Sequence, residues 1–320
     1  MTVTAEPTQI DAAILAKVNR QAKREAWVRR GPLLPALVIT VLLTQLPFLF
    51  TIVLSFRRYN TNHPERYGWA GLANFKAVFT SSTILHDVSN TIFLVITVVL
   101  VSLVLGLGIA LLLNQDFPGR GVVRTMMIGP FLIVPVAAAL FWKFGMYDPN
   151  TGFINGIITT VHRWFAGQQA TASAIDIVGP HPLLAVEIAL IWQWTPFMTL
   201  ILLAGLQSRP GDIIEAAAVD GASPWQMFAH LTIPHMRQYL ELAGLLGAIY
   251  ILQNFDTVYA LTPLNVQTEN LPNLIYQTVS SRNDYGLASA QGVIIVIGTI
   301  FIATFALRTV FSLFREENAR

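Results

Sequence analysis

Residues 209–237, RPGDIIEAAAVDGASPWQMFAHLTIPHMR, lie between two long apolar runs and yet are patterned like a pair of short, water-exposed helices. Asp212 is placed to cap the first, with Glu215 three residues on reaching back as its capping-box partner. Ala216, Ala217 and Ala218 are the strongest of helix formers. Gly221 is free to take the left-handed conformation that ends such a helix. Ser223 is then the cap of a second helix, with Pro224 at its first position and Gln226 at its third. Pro234 predicts where that helix stops. Trp225, Phe228 and Leu231 recur at i, i+3 and i+6 and give the second helix an apolar stripe to bury. Two capped helices joined by a glycine, held beside a membrane, make a docking device.

The membrane is implied by composition. Of 320 residues, 54% are hydrophobic and 12% charged, where a soluble domain carries about 25% charged residues. The chain is an integral membrane protein. It has no cysteine, which excludes disulfides, thiolate metal sites and cysteine nucleophiles. The net charge of +2 is small, and no basic patch points to nucleic acid. Residues 1–30 include Glu6 and Asp11 and do not resemble a cleaved signal peptide. They carry a weak helical pattern at Ile14, Leu15 and Val18, and read as a cytoplasmic, solvated or membrane-surface segment.

Six apolar runs are near the roughly 20 residues needed to cross a bilayer. They are placed at 33–56, 89–113, 122–145, 183–206, 238–260 and 287–312. With the N-terminus inside, the inside segments hold 13 Lys/Arg and the outside segments 7. The excess predicts an N-in, C-in topology, although Arg57 and Arg58 oppose it. The pair 209–237 is then cytoplasmic, in the loop between spans 4 and 5. The predicted architecture is all-α: a segment 1–30, a six-span domain 31–315 and a tail 316–320. Outside, residues 57–87 carry Tyr59, Tyr67, Trp69, Phe75 and Phe79, as a structured segment would. Phe153, Ile157, Val161 and Trp164 are spaced for a short helix lying on the outer face. Pro47, Pro130, Pro135 and Pro196 predict kinks, and Gly106, Gly108 and Ala110 allow close helix packing.

No catalytic motif is present: no GxxxxGK[ST] loop, no HExxH and no GxSxG. The six histidines read as scattered through loops, away from carboxylates, and metal binding is not expected. Neither is a DNA-reading helix-turn-helix, because 209–237 has only Arg209 and Arg237 as fixed positive charges.

EAAAVDGASPWQMFAHLTIP, 215–234, resembles the EAA signature of permease subunits of bacterial binding-protein-dependent ABC importers. Glu215, Ala216 and Ala217 match, Gly221 follows after Asp220, and nine residues lead to Leu231, Thr232, Ile233 and Pro234. Leu231 and Ile233 exchange the family's usual Ile and Leu. The resemblance extends over residues 30–315 and is nearest to carbohydrate permeases of the maltose type. GAIYILQNFDTVYALT (247–262) and NDYGLASAQGVIIVI (283–297) look like polyol (sorbitol/mannitol) permeases in particular.

The resemblance implies that 209–237 is a coupling loop docking in a groove of a cytoplasmic ATPase. Glu215, Ala216, Ala217, Asp220, Gly221, Trp225, Phe228, Leu231 and Pro234 would carry that contact. For Glu215, capping and docking compete. The resemblance also implies a second permease subunit, an ATPase dimer that holds the ATP and Mg, and an extracytoplasmic solute-binding protein. The chain itself would bind no cofactor and catalyse no reaction. A sugar or polyol path would draw on polar and aromatic residues within the spans: Glu187, Trp192, Gln193 and Trp194 on the fourth, and Gln253, Asn254, Asp256 and Tyr259 on the fifth. Gln253 and Asp256, at i and i+3, are placed on one face. The competing reading makes the tryptophans interfacial anchors and pairs Glu187, Asp256 and Lys143 with one another. Other solutes, an oligosaccharide or a glycerol phosphate, remain open. A secondary transporter would show inverted repeats, which the sequence lacks, and a membrane enzyme would need His or carboxylate clusters in its spans.

Overall fold

The computed structural model describes residues 31–166 and 175–317. The expected helix around Ile14 and Val18, the middle of the loop after Ala166 and the last three residues lie outside the described residues. The chain divides into two units between Leu54 and Ser55. The first contains helix α1 (Leu34–Ser55, its final residue excepted), entered through a 3-10 turn at Gly31–Leu33. Leu37, Leu43, Leu46 and Phe50 are exposed around it. Thr40, Thr44 and Thr51 each return their hydroxyl to the carbonyl four residues back, which hides a polar group on an otherwise apolar rod.

The second unit opens with a short hairpin. Strand β1 (Arg57–Arg58) pairs antiparallel with β2 (Gly68–Trp69), Arg57 opposite Trp69. Phe56 stacks on Trp69 at 5.9 Å, and Tyr59 on Tyr67 at 4.9 Å. This is the structured segment expected from its aromatics. Helix α2 (Ala73–Thr80) comes next, then α3 (Ser82–Asn114), whose 33 residues begin well before the expected 89. Ser81 caps α3 by accepting from the Ile84 amide.

The third apolar run is not one rod. It forms α4 (Arg120–Leu132) and α5 (Pro135–Leu140), the latter continued by a π turn over Phe141–Met146. The two halves are bent by 96°. The cause lies in the prolines. Val134 precedes Pro135 and is driven out of the helical region, so Val134, like Ile133, is extended.

Helix α6 (Phe153–Ala166) forms where the amphipathic spacing placed it. Helix α7 (Pro182–Gln207) is the fourth run. Then come α8 (Gly211–Val219), α9 (Pro224–Met227), a π turn at Phe228–Thr232, and α10 (Ile233–Leu252). Helix α10 ends early. Gln253–Phe255 breaks the fifth run, and α11 (Asp256–Leu261) is a separate short helix. The chain finishes with α12 (Leu271–Ser280) and α13 (Tyr285–Glu317). Among the described residues, the helices of the first, second and fourth runs are singly long and apolar enough to cross a membrane, and the bent pair makes a fourth crossing if counted as one.

The core is built where α3, α7 and α10 meet. Leu94 and Val98 of α3, Ala185, Val186, Ala189 and Leu190 of α7, and Ile251 of α10 are buried together. A lower cluster joins Ala110 and Leu113 to Leu202, Leu206 and Met236. Gly106 makes the α3–α7 crossing close: a Cβ there would stand 3.1 Å from that of Met198. Ala110 is fully buried in the same seam. Gly108, expected to share this role, has nothing within 4 Å of a notional Cβ and does not.

Candidate functional site

The segment 209–237 folds as two helices about a glycine, with three differences from expectation. Helix α8 starts two residues early, at Gly211 behind Pro210, so Asp212 lies in the first turn and caps nothing. Its charge still lies at the positive end of the helix. Glu215 does not reach back to close a capping box; it is exposed on α8 with Ala216, while Ala217 is half-buried. The end of α8 is a complete left-handed cap. The Gly221 amide donates to Ala218 O at 3.1 Å and the Ala222 amide to Ala217 O at 3.0 Å, with Gly221 at φ +83°. Asp220 is the last half-helical residue before it.

The second cap is as the sequence predicts. Ser223 Oγ accepts from the Gln226 amide, and the Gln226 side chain accepts from the Ser223 amide at 2.8 Å, with Pro224 at the first position. Pro234, however, does not stop the helix. The helix runs from α9 through the π turn into α10 without a break, and Pro234 sits in the first turn of α10. A π turn bonds i to i+5. That loosened register accommodates a residue with no amide hydrogen, whose ring collides with the carbonyl of residue i−4 in a regular helix. The second helix of the pair is thus the head of the fifth run.

The outward face is apolar. Val219 is 87% exposed and Trp225 73%, and the Trp225 and Phe228 rings lie 5.6 Å apart. Phe228 and Leu231 are half-buried, so the stripe expected from i, i+3, i+6 spacing is exposed chiefly at Trp225.

The polar residues of the spans separate into groups. Trp192 stacks on Phe141 at 5.8 Å and meets Trp142 edge-on. Trp194 points elsewhere, against Phe131, Phe197 and Tyr250. Gln193 is buried between them; its Nε2 donates 3.1 Å to Ile133 O, the carbonyl freed at the break in the third run, and its Oε1 has no partner. Glu187 is buried and accepts from Thr97 at 2.5 Å, while Lys143 donates to Ala260 O at 3.1 Å. No ion pair joins Glu187, Asp256 and Lys143 among the described residues.

The break in the fifth run corrects the reading of Gln253 and Asp256. Both are exposed, and the turn between them removes the shared helical face. Asn254 turns inward instead. Its Nδ2 donates to Thr257, its carbonyl accepts from Asn270 at 2.7 Å, and its Oδ1 has no partner. Tyr259 stacks on Phe255 at 5.2 Å, and Tyr276 closes the trio.

Several of these residues were missed from the sequence. Asn270 caps α12 and Asn273 bonds to it, yet both fall in a stretch read as outer loop. The signal was there: Asn270 with Pro272 two residues on opens an amphipathic run. Asp87 is fully buried on α3, with His86 at 3.5 Å and Oδ2 unpartnered. It was hidden at the edge of an apolar run. The histidines are not all in loops: His86, His162, His230 and His235 are on helices, and His86 and His63 approach carboxylates. No group of three metal-ligating side chains forms among the described residues. A cavity of about 420 Å³ opens between α3, α4 and α7, lined by Leu105, Met127, Ile188 and Trp192. Its walls are almost wholly apolar, which suits hydrocarbon better than a hydroxylated solute.

The sequence of residues 102–314 matches the family described as "Binding-protein-dependent transport system inner membrane component". Similar curated proteins include the trehalose/maltose transport system permease protein MalF of Thermococcus litoralis, 32% identical over 85% of this chain and 89% of its own length. The trehalose transport system permease protein SugA of Mycobacterium tuberculosis is 31% identical over 85% and 86%. Among solved structures, a chain of a bacterial ABC transporter involved in import of the acidic polysaccharide alginate superposes with a TM-score of 0.72. It is 20% identical and covers 92% of this chain and 99% of its own.

Proposed function

We propose that this chain, which belongs to the family of binding-protein-dependent transport inner-membrane components, moves a sugar or polyol across the membrane and takes its energy from an ATPase docked at 209–237. It is an inner-membrane permease subunit of an ABC transport system. The observation that carries the coupling role is the α8–α9 unit. A glycine-locked cap and a capping box hold two helices rigid, and they present Val219 and Trp225 to something not in the chain. A large exposed aromatic on a pre-organised helix is what a partner's groove recognises.

The solute class rests on the interior. Gln193 Oε1, Asn254 Oδ1 and Asn273 Oδ1 are buried acceptors without partners, and buried acceptors are costly unless filled. Hydroxyl groups of a sugar or polyol are donors that fill them, with Trp192 and the Phe255–Tyr259–Tyr276 cluster offering ring faces. Two relatives carry trehalose in their names, and the 247–262 and 283–297 stretches resemble polyol permeases, so trehalose, maltose, sorbitol and mannitol are the first probes. Both termini inside, six crossings, a second permease, a pair of ATPases holding ATP and Mg, and an extracytoplasmic solute-binding protein complete the proposed assembly. ATP hydrolysis belongs to the ATPases, and the chain itself holds no cofactor.

Reconstitution in proteoliposomes tests this. The complete assembly should accumulate one of the four probes only with ATP and binding protein present. Accumulation by this chain alone, without ATPase, would make it a secondary transporter and overturn the proposal; so would ATP-driven uptake restricted to non-hydroxylated solutes.

A further inference from the structure

The root of the 209–237 loop holds a polar cluster that neither the fold nor the docking face requires. We propose that Ser208, His235 and Tyr239, with Arg209 and Thr232, form a clasp that binds the loop's root to α7 and α10, so that loop and helices move as one lever. This inference rests on the reading of 209–237 as the ATPase-docking segment.

Helix α7 delivers the chain to Ser208, and α10 takes it back from Ile233. Between them the loop hangs on two weak points. One is the Ser208–Pro210 link; the other is the π turn, a local departure from the α-helical register. Left alone, both would yield when the docked ends are pulled.

Cross-ties join the two ends of the loop at these points. Ser208 Oγ lies 2.7 Å from Tyr239 Oη and 3.2 Å from His235 Nε2. The same Nε2 is 3.1 Å from Gly205 O. A carbonyl only accepts, so Nε2 carries the hydrogen. Ser208 donates to Gly205 O at 2.9 Å, which leaves Tyr239 as donor to Ser208. Tyr239 thus donates to Ser208 and Ser208 to the Gly205 carbonyl, on which the His235 N–H also converges. Gly205 also admits the Tyr239 ring flat against the backbone: a Cβ there would sit 2.5 Å from the ring. A second tie runs from Arg209 Nη1 to Thr232 Oγ1, a side chain 3% exposed inside the π turn. The extra residue in that turn rotates the downstream helix by about 100° relative to an unbroken α-helix, which sets where Thr232 points. The ties are thus made at the weak points themselves, Ser208 and Arg209 in the link and Thr232 in the π turn, and fasten them to each other and to α10.

The chain has no cysteine, so a spin-label pair at Ala222→Cys and Leu184→Cys reports loop against α7. The pair is measured in the full complex with and without ATP–vanadate. With the clasp intact, one narrow distance distribution should persist in both states. In Ser208→Ala, Tyr239→Phe and Thr232→Ala it should shift or broaden by about 2 Å or more on adding ATP–vanadate, the scale of helix shifts in switching proteins, while Ser208→Thr retains the narrow distribution. An unchanged narrow distribution in the first three variants overturns the clasp, and so does a Ser208→Thr variant as loose as Ser208→Ala. Because general misfolding would broaden the distribution without nucleotide too, the nucleotide-free state of each variant separates the two causes. Immobilisation of the Ala222 label on adding ATPase, in the otherwise wild-type chain, tests docking separately; a label that stays mobile refutes the docking reading.

Discussion

Replacing Gly221 isolates the geometry of the docking unit. At φ +83° an L-residue carries backbone strain, but nothing lies within 4 Å of a notional Cβ. The penalty is therefore conformational and not steric. For alanine the left-handed region costs about 1–2 kcal/mol; asparagine visits it more readily, and a β-branched side chain is worse than alanine. The turn does not pack against the core, so the strain is relieved locally, by opening the α8–α9 cap. A penalty of about 1–2 kcal/mol lowers the population of the closed turn relative to open forms by a factor of roughly 5–30. If the ATPase meets the closed turn, as proposed, its apparent affinity should fall by up to that factor in Gly221→Ala, further in Gly221→Val, and least in Gly221→Asn. Titration of purified ATPase onto the chain in nanodiscs, with binding read by fluorescence anisotropy, gives the order directly. Equal affinity for wild type and Gly221→Val would refute the reasoning, because no left-handed turn would then be needed for docking. Loss of affinity in Gly221→Asn as large as in Gly221→Val would refute it in another way, by pointing to side-chain bulk.

Trp225→Ala should weaken ATPase binding by about 2 kcal/mol or more, some thirty-fold, as removal of a central aromatic does; the same titration reads it, and membrane insertion should be unaffected because Trp225 is exposed in the chain itself. Gly286→Ala should lower the unfolding midpoint in detergent by an amount corresponding to about 1–3 kcal/mol, because the Arg57 carbonyl and, at 3.2 Å, the Tyr59 amide stand where the methyl must go; an unchanged midpoint would mean the hairpin is not held against α13. Burial pushes the Glu269 carboxyl above the usual range; Arg282, Gln277 and His86 pull the other way, and Asp87 faces it from α3. A carboxyl raised on folding stabilises at low pH and loses that contribution as pH climbs through its folded value. The unfolding midpoint should accordingly fall as pH rises from the ordinary carboxylate range through the raised folded-state value, and fall less in Glu269→Gln; identical slopes would remove Glu269 as the cause.

The apolar runs and the two-helix unit were legible because their signals are local. A run of 20 apolar residues, a Ser-Pro-x-Gln cap and an Ala-rich turn ending in glycine each act over a few residues. The features that escaped the sequence depend on partners far along the chain. Pro234 reads as a stop because a proline breaks an α-helix; it continues here because five residues upstream adopt a π turn, which has no sequence signature of its own. Asp212 reads as a cap because it precedes the alanines by the right interval, but Pro210 sets the helix start two residues sooner. Gln253 and Asp256 share a face only if the helix persists, and it ends at Leu252, where Asn254 bonds to Thr257 and to Asn270, sixteen residues on. Gln193 reads from the sequence as a path residue, and the partner its side chain finds is the backbone of another run.

These misses have a common cause that bears on mechanism. The third and fifth runs both break, at Ile133–Val134 and at Gln253–Phe255, and at each break a buried side-chain amide holds a freed carbonyl: Gln193 at Ile133, Asn270 at Asn254. A backbone carbonyl exposed at such depth is expensive unless it is paired or lines a cavity, so the amides are needed for the breaks to exist at all. Each break then leaves an amide oxygen over, Gln193 Oε1 at one and Asn254 Oδ1 at the other. Part of the interior's unused polar capacity thus lies where the helices are weakest. A solute whose hydroxyls bond those oxygens would engage the amide that holds the first break and the residue whose carbonyl is held at the second, and would bias how the two bent runs sit. The fifth run carries this break near one end and, through the π turn, the docking helix at the other. One continuous element, α9 to α10, therefore lies between the surface proposed to receive ATP-driven motion and the groups proposed to hold solute.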